Sequence, residues 1–561
     1  MKKKNLPDYD IAVVGGGASG IYTAWRMLLD GPKYSVKLKK WQQERGKLKI
    51  AVFEGSDRIG GRVLSAKAPG LPHVVCEIGG MRYVSSQQYI TALVENKFKL
   101  PRHEQAVTES ANIAFLRGKR LKVGDLGDPS KLPYNLEPDE IKWLKAGNTA
   151  DNFLGFAVQK IFPDITKYSG DKLRAYLNKQ KINGVPLYKI GFWNLVATQL
   201  SHEAYSVAVT TVGYDCLGFN TNAVDAICEY FDFTPGVKYY LLDAGYDSVI
   251  WTMQQEFEKG GGDVVTGKWL ESFDQEKLAD GSKGVKLQFK DDKKKRTARA
   301  IVLAMPKRSI ELLAQKGPVL DPEKAPHVRF MLNAVEPIHL YKMFIAYDRP
   351  WWEKQGVKEG RSLTDIPVRQ CYYWGVESRQ KNGDKKNNNA ILMVYNDALS
   401  SDFWGGLRQI PLGPGDVKTE VSTHKFKRQK MPFAVTKAAQ NPWDKQLHAN
   451  WKLCEAPKAM VEEMHRELQI LHGVTNAPEP LEAAFMDWGD DPYGGAVHFW
   501  NPGYNSTKIL RDMIQPVGNF PCYVCGEAYS TGQTWVEGAL QTAELVLRKF
   551  DIPDPKWLNK K

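Results

Sequence analysis

Three glycines spaced Gly15-x-Gly17-x-x-Gly20 stand between an apolar run, YDIAVVGGG, and a helical one, ASGIYTAWRMLLD. That spacing suits a phosphate-binding turn. The first glycine permits the tight turn, the second lets backbone approach a pyrophosphate, and the third lets the helix pack on the strand. Ala18 and Ser19 then open a helix whose first N–H groups and positive dipole end can receive the phosphates. A second apolar run, LKIAVFE, leads to Glu54. A carboxylate there accepts hydrogen bonds from ribose hydroxyls and disfavours a 2′-phosphate. Glu54 comes later than in a minimal unit because the charged stretch KLKKWQQERGK precedes it. These residues specify a dinucleotide, and by themselves they do not separate NAD from FAD.

The residues that follow do. EGSDRIGGR adds Gly60, Gly61 and Arg62 directly after the acid, and CGEAYSTGQTWVEGALQTA near the C-terminus carries Gly526 and Glu527 ahead of a helical run. Here the sequence resembles the flavin amine oxidase family, whose fingerprint is an acidic residue, then Arg, then Gly-Gly-Arg, with a closing Gly-Glu pair before a Trp-bearing helix. The resemblance spans nearly the whole chain. It implies FAD, with Val265 in the second nucleotide segment and Glu527 near the diphosphate and ribityl portion. The helix from Trp535 and Val536 would then point its N-terminus at the flavin. Some relatives bond FAD to a cysteine after the Gly-Gly of DWGDDPYGGAVHFW; Ala496 stands there, so FAD is expected to be non-covalent. Trp488 of the same segment would pack on the cofactor.

Within the family the sequence is most like an L-amino-acid oxidase. The run CEIGGMR (Gly79, Gly80, Met81, Arg82) matches the segment that passes the flavin ring and supplies a substrate clamp. A guanidinium holds a carboxylate through two parallel charge-assisted bonds, and a simple amine has no group for it to hold. Tyr395 in ILMVYND matches the tyrosine of that clamp. Lys342 in LYKMFIAYD matches the family's lysine, which holds a water near flavin N5 and assists reoxidation. Val497, Thr534 and Trp535 would line the substrate pocket. The expected reaction is oxidative deamination of L-amino acids by hydride transfer from Cα to FAD. Reoxidation by O2 gives hydrogen peroxide, and the imino acid hydrolyses to a 2-oxo acid and ammonia. An amine or polyamine oxidase, an L-amino-acid 2-monooxygenase and a non-catalytic flavin-binding scaffold are the alternatives. Side-chain preference stays open: Trp535 and Val497 point to bulky apolar substrates, while Glu537 and the pair Asp490-Asp491 would suit a cationic one. No histidine near 225–240 aligns with the one some L-amino-acid oxidases carry in their helical domain.

Composition narrows the remaining classes. With 561 residues, two or three domains are expected. The net charge of +13 is spread along the chain. Its dense runs, MKKK, KLKK and DDKKKR, read as solvated faces, the last as a hairpin tip, so no nucleic-acid partner is expected. The seven cysteines form no framework, and CYVC lies in a strand-like run instead of at a helix start, so buried thiols are expected. No H-E-x-x-H occurs, and no metal is expected. No apolar leader precedes the first strand and no apolar run of about 18 residues exists. A soluble, cytoplasmic protein with no membrane span is therefore the expectation, and the resemblance implies a homodimer.

These residues need elements to hold them. Strand, glycine turn, helix and strand at the start make a parallel βαβ unit. Strand patterns return after 245 and near the C-terminus. The predicted fold is α/β with α+β character, in three parts. A discontinuous Rossmann-type FAD-binding domain comprises 8–66, 242–330 and 503–551. A substrate-binding domain with a mixed sheet comprises 67–128 and 331–502, and a helical domain 129–241.

Overall fold

The computed structural model describes residues 6–215, 219–232, 236–408 and 451–559. Among them, two seven-stranded sheets dominate. In the first sheet, strands Asp263–Val265, Ile50–Phe53, Tyr9–Val14 and Arg296–Leu303 run parallel in that order. The last strand shares one side between two partners. Its first half pairs antiparallel with Lys283–Phe289 and its second half parallel with Cys522–Val524. The charged run at 291–296 connects the antiparallel pair, as the hairpin reading requires.

Tyr9–Val14 is buried on both faces, which is why it reads as an unbroken apolar run. Ile11 and Val13 join a core with the helices Ala18–Leu29, Ser248–Lys259 and Val536–Arg548, while Ala12 and Val14 face a second core on the other side. The charged insertion before Glu54 is a helix, Val36–Arg45, capped by Ser35, whose Oγ accepts from Leu38 N at 3.3 Å. Leu38 and Trp41 are buried and its lysines stay exposed, so the stretch is amphipathic and packed, not a loose insertion.

The second sheet has the order Glu482–Asp487, Leu340–Tyr347, Ala390–Asp397, Gln370–Val376, Arg361–Thr364, Ile113–Leu116, Lys119–Lys122. Neighbours are antiparallel except Arg361–Thr364 with Ile113–Leu116. Successive side chains alternate faces. Met343 and Ile345 therefore pack toward the helix Lys458–His472, while Phe344 and Ala346 face the segment carrying Ile78 and Met81. Lys342 shares this second face, and the register sets it opposite Tyr395.

A cluster of helices, among them Pro138–Lys145, Phe153–Ile161, His202–Val212 and Ala223–Asp232, packs on the second sheet through Ala114, Leu116 and Leu363. The stretch expected to be helical to 241 changes before its end. Tyr239–Leu242, a β-favouring YYLL run, is a strand paired with Tyr83–Val84 and Arg102–Glu104. That pairing carries Tyr239 to Arg82. No helix among the described residues is long and apolar enough to cross a membrane.

Candidate active site

A cavity of about 2680 Å³ runs from the first sheet to the second. A drug-sized ligand takes roughly 300–1,000 Å³, so this space accommodates a long cofactor and a substrate together. At one end lie Gly15, Gly17, Ala18, Ser19 and Glu54. Gly15 has φ +110°, and a Cβ on it would lie 2.2 Å from the Ala304 carbonyl oxygen. A Cβ on Gly20 would lie 1.9 Å from the Gly15 oxygen. Gly20 does not line the cavity; its absent side chain lets the helix start this close to the strand. Gly17 precedes helix Ala18–Leu29, and no side chain caps that helix or places an acid in its first turn. Its leading N–H groups are therefore available to an anion. Glu54 is aimed by backbone: its Oε2 accepts from Gly16 N at 2.7 Å and its Oε1 from Ser56 N at 2.8 Å.

Further in, the two glycine turns approach each other, Gly61 with φ +58° against the Gly17 Cα. Arg62 reaches across to the Ala496 carbonyl at 2.6 Å and to Glu527 Oε2 at 3.0 Å. Glu527 also accepts from His498 Nδ1, His498 N and Thr534 N, each at 2.9 Å. Burial would raise its pKa, yet His498 and Arg62 hold it at about 2. Glu527 is thus an ionised knot tying three cavity-wall segments. Helix Val536–Arg548 also begins at the cavity, with Trp535 at its N-cap and no side-chain cap. It packs chiefly on the first helix, through Leu540, Ala543 and Leu547.

Lys342 sits between the two ends. It is buried, and its Nζ donates to the carbonyls of Glu77 (3.2 Å) and Gly79. Burial, with a smaller contribution from Arg82, pushes it down to about 7 against the opposing pull of Glu77. Its Nζ is 5.1 Å from the centre of the Tyr395 ring. Behind it lies a buried carboxyl pair: Ser65 Oγ donates to Glu77 Oε2 at 2.8 Å, and Ser65 N to Asp247 Oδ2 at 3.2 Å. Burial raises Glu77 well above the carboxylate range and Asp247 to about 7.

Arg82 is buried, and its Nη1 donates to Gln105 Oε1 at 2.9 Å. Its guanidinium lies 4.3 Å over the Tyr239 ring and 5.7 Å from that of Tyr372. Among the described residues no carboxylate forms an ion pair with it. The Tyr372 hydroxyl is 3.0 Å from that of Tyr214, whose ring meets Tyr395 edge-on at 5.2 Å.

The family model described as flavin containing amine oxidoreductase matches residues 18–405 and 443–546. The chain belongs to this family. FAD is its cofactor, and the fit is visible in the uncapped helix at Gly17, the aimed Glu54 and the long cavity between them. The chain is 23% identical to Aplysianin-A of Aplysia kurodai over 568 residues, covering 96% of this chain and 90% of that protein. It is 23% identical to the L-amino-acid oxidase of Demansia vestigiata over 413 residues, covering 70% of this chain and 67% of that one. A solved structure of putrescine oxidase bound to putrescine shares the fold, with a TM-score of 0.59, 16% identity and coverage of 96% of this chain and 98% of that one.

On this flavin amine oxidase frame, Gly61, Arg62, Gly79, Gly80, Met81, Arg82, Trp488 and Gly526 line the cavity with Glu527, Thr534, Trp535 and Val536. Lys342, Tyr395 and Val497 line it as well. Val265 does not. Its carbonyl accepts from Glu54 N at 2.9 Å, so it supports the acid from the neighbouring strand, and Gly267 to Trp269 reach the cavity instead. The acids offered for a cationic substrate are otherwise engaged. Glu537 accepts from Tyr89 N and Ile90 N at 3.0 and 2.9 Å, and Asp490 and Asp491 pair with Arg408 and Arg308. Cys522 and Cys525 are buried thiols raised by burial, as CYVC in a strand implied; Cys216 lies outside the described residues. No histidine is among the described residues that line the cavity.

Four residues escaped the sequence reading: Tyr214, Tyr239, Arg361 and Tyr372. Tyr372 sits in an alternating strand where it passes for core. Arg361 shares a strand face with Leu363, which is buried against the helices, and that alternation is the signal that could have exposed it.

Proposed function

We propose that this flavoenzyme is an L-amino-acid oxidase that deaminates its substrate and produces hydrogen peroxide. The observation that carries the reading is Arg82, a buried guanidinium on the wall of the cavity whose partners are a neutral amide and phenol rings. A cation removed from water without an anion is costly unless a ligand supplies one. An α-carboxylate does so, and the amines an amine oxidase takes do not. Several relatives, among them the Demansia vestigiata protein, are L-amino-acid oxidases, which agrees with this reading.

Arg82 and Tyr395 would hold the α-carboxylate, while Trp488, Val497 and Trp535 exclude water from the reacting carbon. The Thr534 backbone, held at φ +73° and tied through its N–H to Glu527, would receive the substrate amine. FAD would be held by the Gly17 helix start and Glu54 without a covalent link, since Ala496 stands where such a link needs a cysteine, and would supply the hydride acceptor for Cα and the route for electrons to O2. Positioning and water exclusion of this kind are worth about 7–11 kcal/mol when geometry is good. With a pKa near 7, Lys342 can hold or release a proton at neutral pH.

A peroxide assay over the twenty L-amino acids, their D-isomers and simple amines is the test. Peroxide from L-amino acids alone supports the reading. Turnover of putrescine or spermidine instead would replace it with an amine oxidase. An amide product without peroxide would make the protein a monooxygenase, and no turnover of any of these would leave a binding scaffold.

A further inference from the structure

The cavity holds a second guanidinium. Arg361 lines it, with Nη1 donating to Gln370 Oε1 at 3.0 Å and to the Val212 carbonyl at 3.4 Å. Among the described residues it too has no ion-pair partner. Its strand neighbour in register is Tyr372, and its guanidinium lies 5.8 Å from the Tyr214 ring. The hydroxyls of those two tyrosines meet at 3.0 Å. Arg82 and Arg361 thus flank one pair of phenols, and each repels the other. Two like charges withdrawn from water beside each other are stable together only when anions compensate them. The field they make shows in Tyr372: burial would raise its pKa, yet Arg82 and Arg361 bring it below the usual tyrosine range.

One α-carboxylate answers one of these arginines. We propose that Arg361 is a second carboxylate-recognition point and that the substrate is an L-amino acid with an acidic side chain, of the glutamate or aspartate class. The inference rests on the L-amino-acid reading of the same site. It assigns Arg82 to the α-carboxylate, on the segment that continues from Gly79 and Gly80, and Arg361 to the side-chain carboxylate, toward the helices. Several of the acids that would oppose this choice are engaged. Glu229 accepts from Thr534 Oγ1 at 3.2 Å, Glu104 pairs with Lys238 at 2.9 Å, and Glu537, Asp490 and Asp491 are bound as described above.

The experiment uses the FAD-loaded enzyme and has two readouts. In the first, glutarate and butyrate are titrated while the visible absorption of the bound flavin is followed, a measurement independent of turnover. Glutarate is expected to bind at least roughly 30-fold more tightly than butyrate, the scale of a desolvated charged pair. Arg361→Gln removes that difference and Arg361→Lys restores part of it, each variant first shown to retain its flavin spectrum. In the second, kcat/KM is compared for L-glutamate, L-aspartate, L-glutamine, L-leucine and L-lysine, and an acidic substrate is expected to exceed L-glutamine by a similar factor. Equal binding of glutarate and butyrate by the wild-type enzyme overturns the proposal. So does a preference for L-lysine, which Glu229 would serve, or for L-leucine; either result leaves the L-amino-acid reading intact. Turnover of amines alone removes that broader reading, while the glutarate titration still decides whether Arg361 holds a carboxylate.

Discussion

The nucleotide end and the substrate end of the cavity are built on opposite principles. At the nucleotide end, backbone does the work. Gly15 and Gly17 shape the turn, helix N–H groups face the ligand, and the charged side chains have protein partners, Arg62 with Glu527 and Glu54 with Gly16 and Ser56. At the substrate end, side chains do the work, and two of the charges have no counter-ion among the described residues: Arg82 and Arg361 meet amides, carbonyls and phenols. The contrast teaches where specificity resides. A backbone cradle fits one invariant ligand, and an uncompensated charge selects among many.

The largest effect should come from closing the cradle. Gly15→Ala places a Cβ 2.2 Å from the Ala304 oxygen at φ +110°. Overpacking of about 1–3 kcal/mol adds to backbone strain of about 1–3 kcal/mol, so the variant should purify colourless or lose FAD on dilution. Absorbance near 450 nm per protein measures this. Full flavin content would show that the cradle tolerates a side chain and would blur the contrast between the two ends.

Next is Arg82→Met. Truncating one partner of a desolvated charge pair costs about 2–5 kcal/mol, so kcat/KM for the best L-amino acid should fall at least roughly 30-fold while flavin content stays constant. A loss of FAD along with activity would place Arg82 in the nucleotide end's logic. Unchanged kcat/KM would remove its substrate role.

The two ends also differ in how far sequence exposes them. The cradle is contiguous: Gly15 to Gly20, Glu54 to Arg62 and Gly79 to Met81 each read as a local motif, because a turn and a helix start are local events. The strands and helices around them were equally plain, since apolar runs and alternation mark them. The substrate wall is assembled from residues 82, 214, 239, 361 and 395, which only the sheet register and the strand Tyr239–Leu242 bring together. Tyr372 and Arg361 carry no local signature. Glu537 illustrates the opposite error: beside Trp535 in sequence it resembles a pocket acid, yet in space it ties the helix to Tyr89 and Ile90.

Lys342 lies where the two regimes meet, and its effect should be intermediate. Lys342→Met removes a group that burial holds near pH 7, together with its bonds to the Glu77 and Gly79 carbonyls. General acid–base groups contribute about 10²–10⁴-fold. With Lys342 proposed to assist the oxygen-dependent half of the cycle, the low end of that range is expected, inside the roughly 30-fold to several thousand-fold that about 2–5 kcal/mol sets for Arg82. The wild-type pH profile should show an inflection near 7, the neutral amine predominating above it, and the variant should lack that inflection. An inflection that survives the substitution belongs to another group, Asp247 being the first to examine.

The smallest effect concerns stability. Asp247 has a folded pKa raised to about 7 by burial, above its unfolded value. Between those values the folded state binds more protons than the unfolded one, so this group's contribution to stability is present below the unfolded pKa and is lost as pH rises through about 7. Asp247→Asn cannot ionise and can keep an oxygen for Ser65 N, so it should flatten that decline. The melting temperature measured from pH 5 to 8 should fall less for the variant than for the wild type. Its advantage at pH 8 should be several degrees at most, since the two pH units between 5 and 7, at about 1.4 kcal/mol each, give about 3 kcal/mol spread over a chain this long. Glu77 lies in the same buried pair and is raised further, so it too holds a proton in the fold that the unfolded chain has lost, and the double variant Asp247→Asn, Glu77→Gln should flatten the decline further. A variant that instead declines more steeply than the wild type would mean that the Asp247 carboxylate is ionised and compensated in the fold. The region behind Lys342 would then resemble the paired charges of the nucleotide end.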